Sequence, residues 1–545
     1  MKTDIYADYI LKNGKILTVN KNDEIKSAVA VKDNKILAVG SDKDMDDYIN
    51  DATSVIDLKG RAVTPGFNEA HIHFNLMSLL EAGFIIPVIK AKSIEEIKSI
   101  IKKAVSHKKP GEWIYLDGYD HTKLKEQRHP TRWDFDEVSP DNPVQCTRIC
   151  HHMRVYNTYA IELANVDDST EFENPNEVVR TSSGKLTGLF KESMQAAINN
   201  RFHFSKEDCL TAYKKGMKLL HSFGVTSIHE MGDGTDNYGR NVLQNAVRNR
   251  EIKERFYMIW CNLGSRTLGL TAANHMIELG PHTGIGNEWY KMGPLKILMD
   301  GSTSGPSAYM NEPFEHDKTL KGVLNFPNQD EINDLFLRAC KEGFQITAHA
   351  VGDGAIDMML DAYEYVNETY PIADRRFKIE HCGFASEENI KRIKKLGIIP
   401  VSNPSFFTIN GKDYNTYYGS RTNQMFPSAS YQKAGIIECY GTDCPVSEPN
   451  PIMSLYGAVT RKDINNNTVC GESQKTDIIY AIRCITYNPA YASFEENIKG
   501  SIEPGKLADL VVLSEDILSC RPEYIKDIKV DITMIDGQIV YERLS

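Results

Sequence analysis

His71 and His73 stand one residue apart in the run GFNEAHIHF, which reads as the end of a β-strand. Alternate side chains of a strand share a face, so this spacing turns both imidazoles toward one spot. Two imidazoles on one face are the beginning of a divalent-metal site. Later runs add compatible groups, each at the end of an apolar stretch: Lys296 in GPLKILMDG, His349 in FQITAHAVGD, His381 in FKIEHCG and Asp443 in ECYGTDCP. A lone strand-end histidine is more often a hydrogen-bonded core or loop residue than a ligand. An HxH pair followed in chain order by two more strand-end histidines and a strand-end aspartate predicts a metal centre.

Such side chains meet only if their strands aim at a common point. Eight strand candidates can be placed: AVTPGFNEAHIHF, GVTSIHEMG, RFYMIWC, GPLKILMDG, FQITAHAVGD, FKIEHCG, GIIPVSNP and GIIECYGTDCP. Helical runs such as QDEINDLFLRACKEG and EENIKRIKKLG follow several of them. Alternating β and α with near-continuous apolar strands predicts a parallel sheet buried on both faces. Eight strands close a (β/α)8 barrel, whose chemistry lies at the C-terminal strand ends. The expected fold class is therefore α/β, a distorted (β/α)8 TIM barrel. About 150 residues separate the first two strands, far more than one crossover helix uses. Residues 78–205 then form an insertion on the catalytic face, which holds Trp113, Trp133 and a further strand-like run, PVQCTRICHH.

Both chain ends have another texture. YILKNGKILTV, SAVAVKDNKILAVG and SVIDLKG at the start, and GSIEPGKLADLVVL and DITMIDGQIVYERL at the finish, are short alternating strands broken by turns. The expectation is one small β-sandwich built from both ends. It divides the chain into residues 1–62 and 496–545 for the sandwich and 63–495 for the barrel.

Composition narrows the function classes. The 545 residues are 41% hydrophobic and 25% charged, a soluble globular balance. A net charge of −11 without a basic cluster argues against nucleic acid. The first residues lack a signal-peptide core, and no apolar run approaches the roughly 20 residues of a membrane span. Eleven scattered cysteines without a CxxC pair read as reduced thiols, which predicts a cytoplasmic protein. The expected partner is a small-molecule substrate, with neither nucleic acid nor membrane, and the expected assembly is a homo-oligomer, a dimer.

Taken together, VTPGFNEAHIH at 63, DEVSPDNPV at 136, GVTSIHEMG at 224, KILMDG at 296, AHAVGDGA at 348, KIEHC at 378, GTDCPVSEPNPI at 441 and GSIEPGKLADLVVL at 500 carry a resemblance. The chain resembles the amidohydrolase superfamily of metal-dependent hydrolases, and more narrowly its YtcJ-like branch, which includes N-substituted formamide deformylases. HxH and GTD are general to the superfamily; the insertion, AHAVGD and GTDCPV point to the branch. The resemblance implies that His71, His73 and Asp443 bind a buried metal and that His349 and His381 bind a second one. Lys296 would bridge two zinc ions as an N-carboxylated side chain, since an ammonium has no lone pair to offer. Should Lys296 instead pair with a carboxylate such as Asp300, a single-metal site follows. The resemblance also places His152 toward the substrate, while His229 reads as a structural or supporting residue. Two departures bear on specificity: Asn68-Glu69-Ala70-His71 replaces an Asp-Ala-His-type start, and GSTSGPSAYM replaces a glycine-rich loop.

After the seventh strand, PSFFTINGKDYNTYYGS offers Phe406, Phe407, Tyr414, Tyr417 and Tyr418. These rings either line a pocket for an apolar substrate portion or pack the segment against its surroundings. The expected activity is hydrolysis of a C–N bond in a small amide, formamide or N-acyl compound, with Asp443 as proton shuttle. A deaminase or an ester or lactone hydrolase on the same centre is the alternative, and a scaffold without catalysis is a third reading.

Overall fold

The computed structural model describes residues 5–149, 153–172, 175–199, 204–232, 237–261, 266–467, 469 and 471–544. The eight expected runs form one parallel sheet: β1 (Phe67–Ile72), β2 (Val225–Glu230), β3 (Arg255–Cys261), β4 (Tyr290–Leu298), β5 (Ile346–Ala350), β6 (Lys378–His381), β7 (Ile399–Ser402) and β8 (Cys439–Tyr440). They pair in chain order from β1 to β8. Every residue of β1, β2, β6 and β7 is buried, as befits strands covered on both faces. The ring closes where Ile72, the last residue of β1, forms a parallel bridge with Cys444, just past β8. This is a nearly closed (β/α)8 barrel.

Between β1 and β2 the chain builds a separate six-stranded sheet, running from Ile85–Pro87 to Leu186–Lys191 in chain order. Val144–Arg148, the strand legible in PVQCTRI, is one of its central members. This sheet has its own core, in which Ile97, Ile101, Leu116, Phe135 and Val144 meet.

The chain ends supply two further sheets. One contains only early strands; the other pairs Ala62–Pro65 with Leu510–Leu513 in antiparallel register. Leu11, Val29, Val31, Val63, Leu510 and Val512 share one apolar core between the sheets. Barrel and sheets are joined by a buried ion pair: Arg255 of β3 grips Asp509 through Nε at 2.7 Å and Nη2 at 3.1 Å. Among the described residues no helix is long and apolar enough to cross a membrane, and nine cysteines are free thiols.

Candidate metal centre

The centre sits where β8 returns to β1. The amide of Asp443 donates to the His71 carbonyl at 2.8 Å, and that of His73 donates to Cys444 at 2.9 Å. Asp443 adopts φ +55, a left-handed conformation that a non-glycine residue holds only under tertiary constraint. The corner brings Asp443 Oδ1 to 3.2 Å from His71 Nε2 and 3.3 Å from His73 Nε2. Ligand atoms of these three residues all lie within 4.8 Å of one another, the one such trio among the described residues. His71 is 1% exposed, yet its Nε2 satisfies no hydrogen bond. An orphaned imidazole nitrogen beside a carboxylate oxygen is the arrangement a cation resolves, so the residues fit a divalent metal. Burial alone would raise the Asp443 carboxyl, but the imidazoles of His71 and His73 outweigh it and hold it well below the usual range.

His381 and His349 adjoin this trio. The His381 ring lies 4.7 Å from that of His71 and 4.4 Å from that of His349. His381 and Cys382 have φ +69 and +46, so β6 ends in a left-handed corner. Asn403 Nδ2 donates to the Gly441 carbonyl at 2.8 Å, which makes Oδ1 the acceptor facing His381 Nδ1 at 2.7 Å. His381 thus carries its proton on Nδ1 and presents Nε2. His349 Nε2 meets the Gly301 carbonyl at 3.0 Å, so it donates there and presents Nδ1. Burial pushes His349 down to about 4 and holds His381 well below the ordinary imidazole range, keeping both neutral, the form that ligates.

Lys296 is buried on β4, and its ammonium has one hydrogen-bond partner among the described residues, Met231 Sδ at 3.2 Å. A thioether is a weak acceptor for a buried cation. The pairing with Asp300 is not formed. That carboxylate is held by the amides of Tyr309, Val351 and Gly352, and burial pushes it up to about 7.

The aromatic run divides. It folds as the helix Phe406–Tyr418, whose first residue stacks on His381 with centroids 6.5 Å apart. Phe407, Tyr414 and Tyr418 recur at helical spacing on one buried stripe, in the same core as Phe406, and Arg461 covers the Phe407 ring at 4.3 Å. Phe407 is therefore a core residue rather than a substrate contact. His152 lies outside the described residues. His229 is buried against Tyr257, neither ring nitrogen hydrogen-bonded, and burial drives its pKa well below normal.

Sequence reasoning passed over the residues that hold the ligands. Glu69 Oε1 accepts from the amides of His71 at 3.0 Å and Thr442 at 2.9 Å, tying β1 to the loop after β8; burial pushes its carboxyl up to about 7. Glu380, one residue before His381, lies 2.7 Å from His71 Nδ1. A carboxylate one or two residues before a strand-end histidine, inside a run expected to be buried on both faces, was the available signal for both.

A nearly closed parallel barrel that sets His71 of β1 and His73, one residue past its end, against an aspartate after β8 defines a metal-dependent hydrolase scaffold. The sequence matches the amidohydrolase family over residues 54–541, and the chain belongs to that family of hydrolases. It is 28% identical to the N-substituted formamide deformylase of Arthrobacter pascens, with 98% of each chain covered. It is 25% identical to YtcJ of Bacillus subtilis (strain 168), covering 98% of this chain and 99% of that one. The fold matches that of an uncharacterized metal-dependent hydrolase of Pyrococcus horikoshii OT3 with TM-score 0.76 at 23% identity, over 94% of this chain and 99% of that one.

Proposed function

We propose that the chain hydrolyses the C–N bond of a small amide, with N-substituted formamides and N-acyl compounds as the nearest substrate classes. The observation that carries this is the convergence of His71 Nε2 and His73 Nε2 on Asp443 Oδ1. His71, His73 and Asp443 would hold one zinc ion; His349 Nδ1 and His381 Nε2 would hold a second, bridged by carboxylated Lys296. A metal held by these residues would supply an acidified water at neutral pH and polarisation of the carbonyl oxygen.

The protein's own groups do the rest. With Oδ1 turned to the two imidazoles, Asp443 keeps Oδ2 to take the proton of the attacking water and return it to the leaving nitrogen. Phe406, stacked on His381, offers an apolar edge to the part of the substrate beside the carbonyl. The full-length similarity to a formamide deformylase supports a C–N bond over an ester.

The test is a hydrolysis panel of formamides, N-acyl amino acids and cyclic amides, with metal content measured on the same sample. Formate or acid released with an amine, or a ring-opened amino acid from a cyclic amide, is the expected outcome; ammonia or alcohol instead would overturn the assignment. Asp443→Asn should lose at least about a thousandfold in turnover while retaining bound metal, and near-normal turnover would remove the shuttle role.

A further inference from the structure

Lys378 and Glu380 are both fully buried within β6, with Nζ 2.8 Å from Oε1. Residues two apart on a strand share a face, so the pair forms along the strand itself. Two charges this deep are costly unless paired; Lys378 Nζ has the Glu380 ion pair and makes no aligned hydrogen bond, so the carboxylate is its anchor. Glu380 spends Oε1 on Lys378 and on the Thr347 hydroxyl at 2.9 Å, and Oε2 on His71 Nδ1 at 2.7 Å. An ionised carboxylate only accepts, so the His71 proton must sit on Nδ1. The Nε2 lone pair then faces Asp443.

We propose that the Lys378–Glu380 ion pair is the positioning device of His71, fixing its tautomer and ring angle so that Nε2 is presented to the metal. This rests on the reading of His71, His73 and Asp443 as metal ligands. Lys378 keeps Glu380 an acceptor by setting its ammonium 2.8 Å from Oε1. One strand therefore serves two ligands. Glu380 steadies the imidazole of β1, and the left-handed turn at His381 lets the very next residue approach the same centre.

The role is read by two signals other than turnover: zinc half-saturation of the full chain against a fluorescent chelator, and the His71 tautomer in long-range proton–nitrogen spectra of 15N-histidine-labelled apoprotein. Glu380→Gln keeps the shape but offers an amide that can donate as well as accept, so it no longer dictates the tautomer. We expect a mixed His71 population and about 10–100-fold weaker zinc binding. Lys378→Met with Glu380→Leu, which removes both charges, should weaken zinc binding at least as much and serves if the single variant does not fold. A single Nδ1–H population with zinc affinity within about twofold of wild type would overturn the role. Equal zinc uptake by wild type and variants overturns the positioning alone, whereas a wild-type chain that takes up no zinc overturns the metal reading beneath it.

Discussion

The amide of Asp443 donates to the carbonyl of His71 at 2.8 Å, and the side chains of the same two residues meet at 3.2 Å. Backbone and ligand contacts thus come from one seam, where the last barrel strand meets the first. Ligand geometry is set by the closure of the barrel, so a change that parts the seam should empty the site without touching a ligand.

Gly441 tests this. A Cβ built there would come within 2.5 Å of His71 Cβ and 2.9 Å of its amide nitrogen, both fixed by the strand. Gly441→Ala should push the loop after β8 away from β1 and lower metal occupancy and turnover by about tenfold or more. Metal analysis of the dialysed variant, beside a circular-dichroism spectrum, separates loss of the site from loss of the fold.

Lys296 should behave as a bridge rather than a salt-bridge partner. Lys296→Met is nearly isosteric and suits the contact with Met231, so the fold should survive. Metal stoichiometry should fall from two ions toward one, and turnover by about a thousandfold. In the wild type, 13C-bicarbonate added to protein refolded without carbon dioxide should give a carbamate resonance that Lys296→Met lacks.

Glu438 predicts a pH-dependent stability. Its oxygens accept from Ser402, Ser428 and Tyr480, and burial pushes its carboxyl up to about 7 from the usual 4.5. Between those values the folded chain binds a proton that the unfolded chain has released, so stability falls as pH rises. Below about 4.5 the contribution is fully present, and above about 7 it is lost. Glu438→Gln cannot ionise. Its stability relative to wild type should rise by on the order of 3 kcal/mol from pH 4.5 to pH 7 and stay level beyond. Urea titrations of both proteins across that range give the difference directly.

Arg255 and Asp509 predict a stability effect remote from chemistry. Asp509→Ala strands a buried guanidinium, with Asp536 its remaining carboxylate at 3.3 Å. The expected loss is about 3–5 kcal/mol in unfolding free energy. Metal affinity of the folded fraction should not change.

The eight barrel strands were legible because short, mostly apolar runs alternate with helical ones, and HxH because a two-residue period has only one geometric meaning. The aromatic segment after β7 misled in part, because its helical period, which turns Phe407, Tyr414 and Tyr418 inward, is masked by the rings between them. Lys296 was ambiguous for another reason. A lysine four residues before an aspartate reads as a possible pair, and only the fold shows that three backbone amides have already claimed Asp300. The tautomers of His349 and His381 depend on partners from other strands and loops, which no local spacing reveals.

The pairing of Ala62–Pro65 with Leu510–Leu513 also sets a timetable. The strand leading into His71 leaves the ribosome about 450 residues before the strand that pairs with it. At 5–20 residues per second the wait is roughly 20–90 s. Asp443 arrives late as well. Through most of that interval the nascent chain holds HxH without the rest of its ligand set, and metal can be taken up at the assembled trio only after Asp443 has emerged.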